Sequence, residues 1–166
     1  MIALVLGGAR SGKSAVAEAV ASGLPSPVTY IATLDVGDDA ELAARVEEHQ
    51  ARRPSTWRTV QAGPDLAVVL RDIDGSVLVD SLGPWVSATP GMQVDVEALC
   101  SALADRNGDT VVVSEEVGLS VHPSTESGRH FRDALGRLNQ AVAARADEVR
   151  LVVAGCTLDL EPPRAH

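Results

Sequence analysis

The sequence contains very little lysine and few aromatic residues. Lys13 is the only lysine, the other thirteen basic residues are arginines, and aromatic residues make up 2% of the 166 positions. The apolar core must therefore consist mainly of Val, Leu and Ala. Hydrophobic residues at 45% and charged residues at 22% are ordinary proportions for a folded protein. A chain of this length fits one domain with a full core.

Positive charge is also scarce. The formal net charge is -9, whereas a protein that binds along a nucleic acid needs a basic face to neutralise phosphates. The composition therefore argues against nucleic-acid binding. An anionic ligand would have to be bound by a small local group of residues.

Cysteine and long apolar runs are few. Cys100 and Cys156 lack the density of a disulfide framework and the spacing of a metal site, so we expect both to be reduced and buried. The opening run from Ile2 to Leu6 is too short for a secretory signal and lacks a basic leader. No apolar stretch approaches bilayer length. We therefore expect a cytoplasmic protein without membrane insertion.

Apolar runs typical of β-strands alternate with amphipathic helical patterns. The predicted strands cover 2–6, 28–33, 57–61, 77–82, 110–114 and 149–154. The predicted helices cover 13–22, 39–52, 65–71, 95–106 and 127–145. This alternation predicts an α/β fold with a mostly parallel sheet and helices on both faces. We expect one catalytic domain over 1–157 and a flexible tail over 158–166.

A phosphate-binding motif follows the first predicted strand. The pattern Gly-x-x-x-x-Gly-Lys-Ser lets backbone N–H groups converge on phosphate oxygens at the start of a helix. Lys13 is expected to reach the outer phosphates, and Ser14 to offer its hydroxyl to Mg²⁺. The motif predicts a P-loop NTPase (RecA-like) fold that binds ATP or GTP through Gly7, Gly8, Ala9, Arg10, Ser11, Gly12, Lys13 and Ser14.

An acidic residue ends another apolar run. Asp80 follows Val77-Leu-Val, and the carboxyl end of a buried strand is where this architecture places an acid that serves Mg²⁺. A capping role is the alternative. Asp80 to Gly83 also reads Asp-x-x-Gly, which is typical of regulatory GTPase switches. The base-recognition motif Asn-Lys-x-Asp cannot occur in a chain whose only lysine is Lys13.

One predicted helix carries a histidine between arginines. Arg45, His49 and Arg53 recur at four-residue spacing, so one helix face presents an imidazole flanked by guanidinium groups. A neutral histidine can attack a phosphate as a nucleophile. The alternative is a solvated charged face with an incidental histidine.

Three separated stretches resemble one enzyme family. The P-loop, residues 45–59, and residues 114–118 with 129–140 look like the bifunctional adenosylcobinamide kinase and adenosylcobinamide-phosphate guanylyltransferase. The resemblance spans nearly the whole chain. It implies two reactions of cobalamin biosynthesis: phosphorylation of adenosylcobinamide with ATP or GTP, then transfer of GMP from GTP to adenosylcobinamide phosphate. It also implies a homotrimer.

The resemblance assigns roles to particular residues. It implies that His49 attacks the α-phosphorus of GTP, that pyrophosphate leaves with the help of Mg²⁺, and that the corrinoid phosphate then takes GMP from the histidine. Helix 129–140 would contact the corrinoid, contact a neighbouring subunit, or simply pack. Besides the P-loop, the implied nucleotide-binding residues are Thr33, Leu34, Gln50, Ala51, Arg52, Arg53 and Asp80.

Three positions depart from the family pattern. Asp80 stands where a glutamate is frequent, and His122 where an aliphatic residue is usual before Pro123. Gln61 replaces a common acid, so a contact there to the nucleotide ribose or to a metal would be weaker or would be made by the amide. Two other functions stay open at this point: a simple P-loop kinase whose His49 is not a nucleophile, and a non-catalytic nucleotide switch.

Overall fold

The computed structural model describes residues 1–33 and 53–161. The strands are β1 (Ile2–Gly7), β2 (Val28–Ala32), β3 (Arg58–Gln61), β4 (Ser76–Asp80), β5 (Thr110–Glu115), β6 (Glu148–Val153) and β7 (Cys156–Leu160). The helices are α1 (Lys13–Ser22), α2 (Leu66–Arg71), α3 (Leu82–Ala88), α4 (Val96–Asp105) and α5 (Glu126–Ala143), with a 3-10 turn at Pro90–Met92. The predicted helix 39–52 lies outside the described residues.

Seven strands form one sheet in the order β3-β2-β4-β5-β1-β6-β7. All neighbouring strands run parallel except β7, which pairs antiparallel with β6. All six residues of β1 are buried, which explains why its sequence is continuously apolar rather than alternating. The α/β fold class and all six predicted strands are confirmed.

Helices cover both faces of the sheet. Alternate residues of a strand point to opposite faces, and Leu4 and Val5 accordingly belong to different core clusters. The cluster around Val5 includes Ala17 and Ala21 of α1. The cluster around Leu4 contains residues of the other four helices, such as Leu70, Trp85, Leu99 and Leu138. The sheet is thus packed between α1 and a layer of α2–α5.

The C-terminal part departs from the prediction. Residues 158–160, which we expected in a flexible tail, belong to β7 and pair with β6. Asp159 also approaches the Arg150 guanidinium at 3.2 Å. Residues 162–166 lie outside the described part. The expectation of two buried cysteines is half wrong: both are free, Cys100 is buried, and Cys156 is exposed on β7, where all five residues are exposed.

The sequence pattern also missed α3, whose first residue, Leu82, we assigned to the end of the predicted strand 77–82. This helix contains Gly83 and Pro84 close to its start, where proline is tolerated because the first N–H groups have no helical partner.

Among the described helices, none combines the length and the apolar character that a membrane crossing requires.

Arg106 joins three elements at the amino edge of the sheet. Its guanidinium donates to the carbonyl oxygens of Leu70, Ile73 and Gly75 at 2.5–2.7 Å, and its Nε donates to the Thr110 hydroxyl at 3.2 Å. Burial lowers the pKa of this guanidinium, and nearby Asp74 opposes that shift. The arginine therefore satisfies carbonyl groups at the end of α2 and in the turn before β4.

Replacing Arg106 with alanine should lower the free energy of unfolding by about 2–4 kcal/mol, because several partly buried acceptors lose their donor. Urea unfolding would measure the change. Arg145→Ala is the matched control, since Arg145 makes a longer contact of 3.4 Å to the exposed Glu97, and should cost less than about 1 kcal/mol. Equal losses in the two variants would contradict this role of Arg106.

Candidate functional site

The P-loop connects β1 to α1 in a conformation that requires glycine. A Cβ on Gly7 would lie 2.4 Å from the Ser11 hydroxyl oxygen and 2.8 Å from the Val152 carbonyl oxygen. Gly12 has a left-handed φ of 93° and precedes the first residue of α1, a conformation that costs glycine little. The helix therefore begins at Lys13 with its free N–H groups at the loop, as anion binding requires.

The loop is also bonded to the turn that follows β6, the strand next to β1. The Gly155 N–H, in the turn between β6 and β7, donates to the Ser11 carbonyl at 2.8 Å. Within the loop, the Ser11 N–H donates to the Gly8 carbonyl at 3.3 Å. Of the other predicted loop residues, Arg10 is exposed and has a positive φ of 55°, and Ala9 is also exposed.

The only lysine lies at the mouth of this loop. Lys13 Nζ is 3.4 Å from the Gly8 carbonyl oxygen and 3.5 Å from Glu115 Oε1. The Lys13 side chain is 12% exposed, so its ammonium group is held near the loop rather than extended into solvent. A point charge at this place is suited to the outer phosphates of a nucleotide.

The Asp80 side chain contacts both Ser14, at the end of the P-loop, and Tyr30 on β2. Its carboxylate lies 3.5 Å from the Ser14 hydroxyl through one oxygen and accepts a hydrogen bond of 3.1 Å from the Tyr30 hydroxyl through the other. The predicted pair of Ser14 and Asp80 is therefore brought together. The peptide bond between Asp80 and Ser81 is cis.

Tyr30 is part of a buried charged group. Burial raises the pKa of the Tyr30 phenol, and the negative charge of Asp80 raises it further, so the hydroxyl remains a donor to Asp80. The Arg53 guanidinium lies over the Tyr30 ring at 3.2 Å from its centroid, and Arg53 Nε is 3.7 Å from Glu18 Oε1. Arg53, predicted to bind nucleotide, thus packs between α1 and β2 with its side chain 6% exposed.

The ends of β2 and β4 are locked together by Thr33. The Thr33 hydroxyl donates to the Ser81 carbonyl at 2.5 Å and accepts from the Ser81 N–H at 2.9 Å. Thr33 is buried, so its first role is to hold the turn after Asp80. Gln61 ends β3 at the edge of the sheet, and three strands separate it from the P-loop strand.

Several predicted residues cannot be placed in this geometry. Leu34, His49, Gln50, Ala51 and Arg52 lie outside the described residues. Their roles remain predictions from the resemblance.

Two site residues escaped the sequence analysis. Glu115 ends β5 as Asp80 ends β4, so the argument that singled out Asp80 applied to it equally. Tyr30 is the only tyrosine in the chain and sits in an apolar strand, where a buried hydroxyl needs a partner. Both signals were available in the sequence.

The donor set suits a magnesium ion held mainly by nucleotide. Mg²⁺ is usually bound by one or two protein oxygens, substrate phosphates and water, and Ser14 and Asp80 offer a hydroxyl and a carboxylate close together. Among the described residues, no group of three or more His, Cys, Asp or Glu side chains forms a complete metal cage. The two side chains therefore fit a nucleotide-bound ion.

Comparison with known proteins assigns the chain to a family. The family described as "Cobinamide kinase / cobinamide phosphate guanyltransferase" matches residues 3–160. The chain is 40% identical to the bifunctional adenosylcobalamin biosynthesis protein CobP of Pseudomonas aeruginosa, over 95% of this chain and 96% of that protein. It is also 40% identical to the protein of the same description, CobU, from Salmonella typhimurium, over 93% and 97% of the two chains.

A structural comparison supports the fold independently. A solved ATPase from the type III secretion system of pathogenic bacteria superposes with a TM-score of 0.57 at 13% identity. The match covers 90% of this chain and 50% of that structure. At this identity the likeness concerns the fold alone, and it agrees with the P-loop architecture expected from the sequence.

The substitution Gly83→Ala tests whether the Glu115 carboxylate at the end of β5 is confined by the start of α3. A Cβ on Gly83 would lie 2.1 Å from Glu115 Oε2, so the carboxylate must move and lose its hydrogen bond from the Gly83 N–H. We expect the free energy of unfolding to fall by about 1–3 kcal/mol.

Gly136→Ala provides the control, because it lies within α5 and a Cβ there meets nothing within 4 Å. This substitution should be neutral or stabilise the protein by up to about 1 kcal/mol. Unfolding of both variants in urea measures the difference. A Gly83→Ala protein as stable as the wild type would show that Glu115 is not confined.

Proposed function

This chain belongs to the family of cobinamide kinases and cobinamide phosphate guanyltransferases, and we propose that one α/β domain performs both transfers. The first transfer moves the γ-phosphoryl group of ATP or GTP to the hydroxyl of adenosylcobinamide. The second moves GMP from GTP to the resulting phosphate. The observation that carries this proposal is the meeting of Lys13 and Ser14 with Asp80 and Glu115 at one sheet edge.

The P-loop would hold the nucleotide in both transfers. Phosphoryl transfer depends mainly on positioning and on charge stabilisation. The N–H groups at the start of α1 would bind phosphate oxygens, and Lys13 would neutralise charge on the outer phosphates. The loop between β1 and α1 is held by Gly155 and Ser11, so these donors are oriented before the nucleotide arrives.

Ser14 and Asp80 would hold the magnesium ion together with the nucleotide phosphates. When bound, such an ion neutralises phosphate charge and orients the transferred group. Tyr30 fixes one Asp80 oxygen through its hydroxyl, leaving the other oxygen toward Ser14. Gly7, Gly8, Gly12 and Thr33 would shape the phosphate site by holding the backbone close.

His49 would carry the second transfer. Its neutral imidazole attacks the α-phosphorus of GTP, the bond to the bridging oxygen breaks, and pyrophosphate leaves. An oxygen of adenosylcobinamide phosphate then attacks the histidine-bound phosphorus, which frees the imidazole and forms adenosylcobinamide-GDP. Covalent catalysis of this kind divides one displacement into two easier ones.

The remaining nucleotide contacts and the assembly are also proposals. We propose that Leu34, Gln50, Ala51, Arg52, Arg53 and Gln61 contact the nucleotide, and that the protein forms a homotrimer in the cytoplasm. The support for these assignments is the family resemblance alone. The family match favours an enzyme over a regulatory switch, and no observation favours a kinase without guanylyl transfer.

The histidine assignment is tested with Mg²⁺ and GTP labelled at either the α or the γ phosphate. After denaturation, wild-type protein should retain acid-labile α label and no γ label, because the imidazole displaces pyrophosphate. His49→Ala should lose the α label. His130→Ala is the control, since His130 is exposed on α5. Absence of α label from wild-type protein that binds GTP would refute the covalent transfer.

The metal assignment is tested with Asp80→Asn, which keeps the shape of the side chain and removes its charge. We expect the Mg²⁺ concentration for half-maximal kinase activity to rise about 10- to 100-fold. Direct Mn²⁺ binding in the presence of nucleotide should weaken as well. Asp72→Asn, an exposed acid at the end of α2, is the control. An unchanged metal requirement in Asp80→Asn would rule out the assignment.

A further inference from the structure

Glu115 occupies a place in the site for which the nucleotide and metal assignments give no role. It ends β5, the strand that separates Asp80 on β4 from the P-loop strand β1. Its Oε1 atom lies 3.5 Å from Lys13 Nζ and accepts a hydrogen bond of 2.8 Å from the Ser81 hydroxyl. Its Oε2 atom accepts a 2.8 Å hydrogen bond from the Gly83 N–H.

The turn after Asp80 fixes this carboxylate without enclosing it completely. Both hydrogen-bond donors come from the start of α3, and the lack of a side chain at Gly83 makes room for Oε2. The Glu115 side chain remains 23% exposed. A carboxylate has about four lone-pair positions, and the three contacts leave room for one more donor. The group is therefore oriented and accessible.

The location of Glu115 relates it to the reacting phosphate. Lys13 is the residue that would contact the outer phosphates, and Glu115 lies beside its ammonium group. The other acid at this edge, Asp80, is engaged by Tyr30 and Ser14. Glu115 is thus placed near the γ-phosphoryl group and separate from the proposed metal pair.

We propose that Glu115 is the general base of the kinase step, an inference that rests on the proposed function. The adenosylcobinamide hydroxyl oxygen attacks the γ-phosphorus, and the bond from that phosphorus to its bridging oxygen breaks. The nucleoside diphosphate leaves, and the hydroxyl proton passes to a Glu115 oxygen. A base in this position must lie within hydrogen-bond reach of the attacking hydroxyl, which the exposed side of the carboxylate permits.

The second transfer makes no such demand on Glu115. The neutral imidazole of His49 attacks with a nitrogen lone pair, and the acceptor that follows is a phosphate oxygen that already carries negative charge. Neither nucleophile is a hydroxyl that must lose a proton to this base. Glu115 should therefore be needed for the first transfer and dispensable for the second, whereas Lys13 should serve both.

The test is Glu115→Gln, which retains an acceptor oxygen and the length of the side chain but cannot take up the proton. Three quantities are measured: phosphorylation of adenosylcobinamide, GMP transfer to preformed adenosylcobinamide phosphate, and the Kd for GTP. We expect phosphorylation to fall about 10²-fold or more, while GMP transfer and the Kd for GTP change little.

Glu116→Gln is the matched control. Glu116 is the adjacent acid, but its carboxylate accepts the N–H groups of Gly118 and Leu119 at 2.9 Å. Both activities should stay close to wild type in this variant. Retained GMP transfer also reports that the Glu115 variant is folded. If Glu115→Gln does not fold, Glu115→Asp replaces it, and its phosphorylation rate must fall more than its GMP-transfer rate.

The outcomes separate the possible roles of the residue. A proportional loss of both transfers would mean that Glu115 only positions Lys13, and would overturn its assignment as a base. Phosphorylation at the wild-type rate would overturn it as well. A wild-type protein that phosphorylates no adenosylcobinamide would refute the proposed function and this inference together, a result distinct from a defect confined to the variant.

Discussion

The parallel pairing of β1 with β5 and of β5 with β4 is the constraint on which the site depends. The register places Gly7 opposite Glu115 and Val79 opposite Val112. Parallel strands bring their carboxyl ends to one edge, so residues near positions 7, 80 and 115 become neighbours. The order of these three strands brings Glu115 within 3.5 Å of Lys13 and Asp80 within 3.5 Å of Ser14.

The arrangement explains how a chain with net charge -9 can serve polyanionic substrates. Among the described residues of the P-loop, positive charge comes from Lys13 and from the N–H groups at the start of α1. Arg53 contacts Glu18 and the Tyr30 ring, and therefore links position 53 to α1 and, through the Tyr30 hydroxyl, to Asp80.

Much of this architecture could be predicted from the sequence because its signals are local. The P-loop pattern and the buried apolar runs determine β1, α1 and the position of Asp80. The missed elements depend on tertiary context. The start of α3 contains Gly83 and Pro84, a pair of residues that is typical of a turn in the sequence. In the structure the Gly83 N–H donates to Glu115, a distant residue that no local pattern identifies. Strand β7 is exposed along its whole length, so no burial pattern indicates it; its backbone pairing with β6 places it in the sheet.

Placing the first strand at the centre of the sheet has a consequence for synthesis of the protein. Ile2 pairs with Thr110 and Ala3 with Glu148, so both neighbours of β1 leave the ribosome long after β1 itself. The five apolar residues from Ile2 to Leu6 lack their strand partners until β5 and β6 have been translated. Pairings between strands that are far apart in the sequence slow folding and leave apolar segments exposed to aggregation in the meantime. The phosphate loop is held by the Gly155 N–H, so it can take its final shape only after the turn between β6 and β7 has been translated.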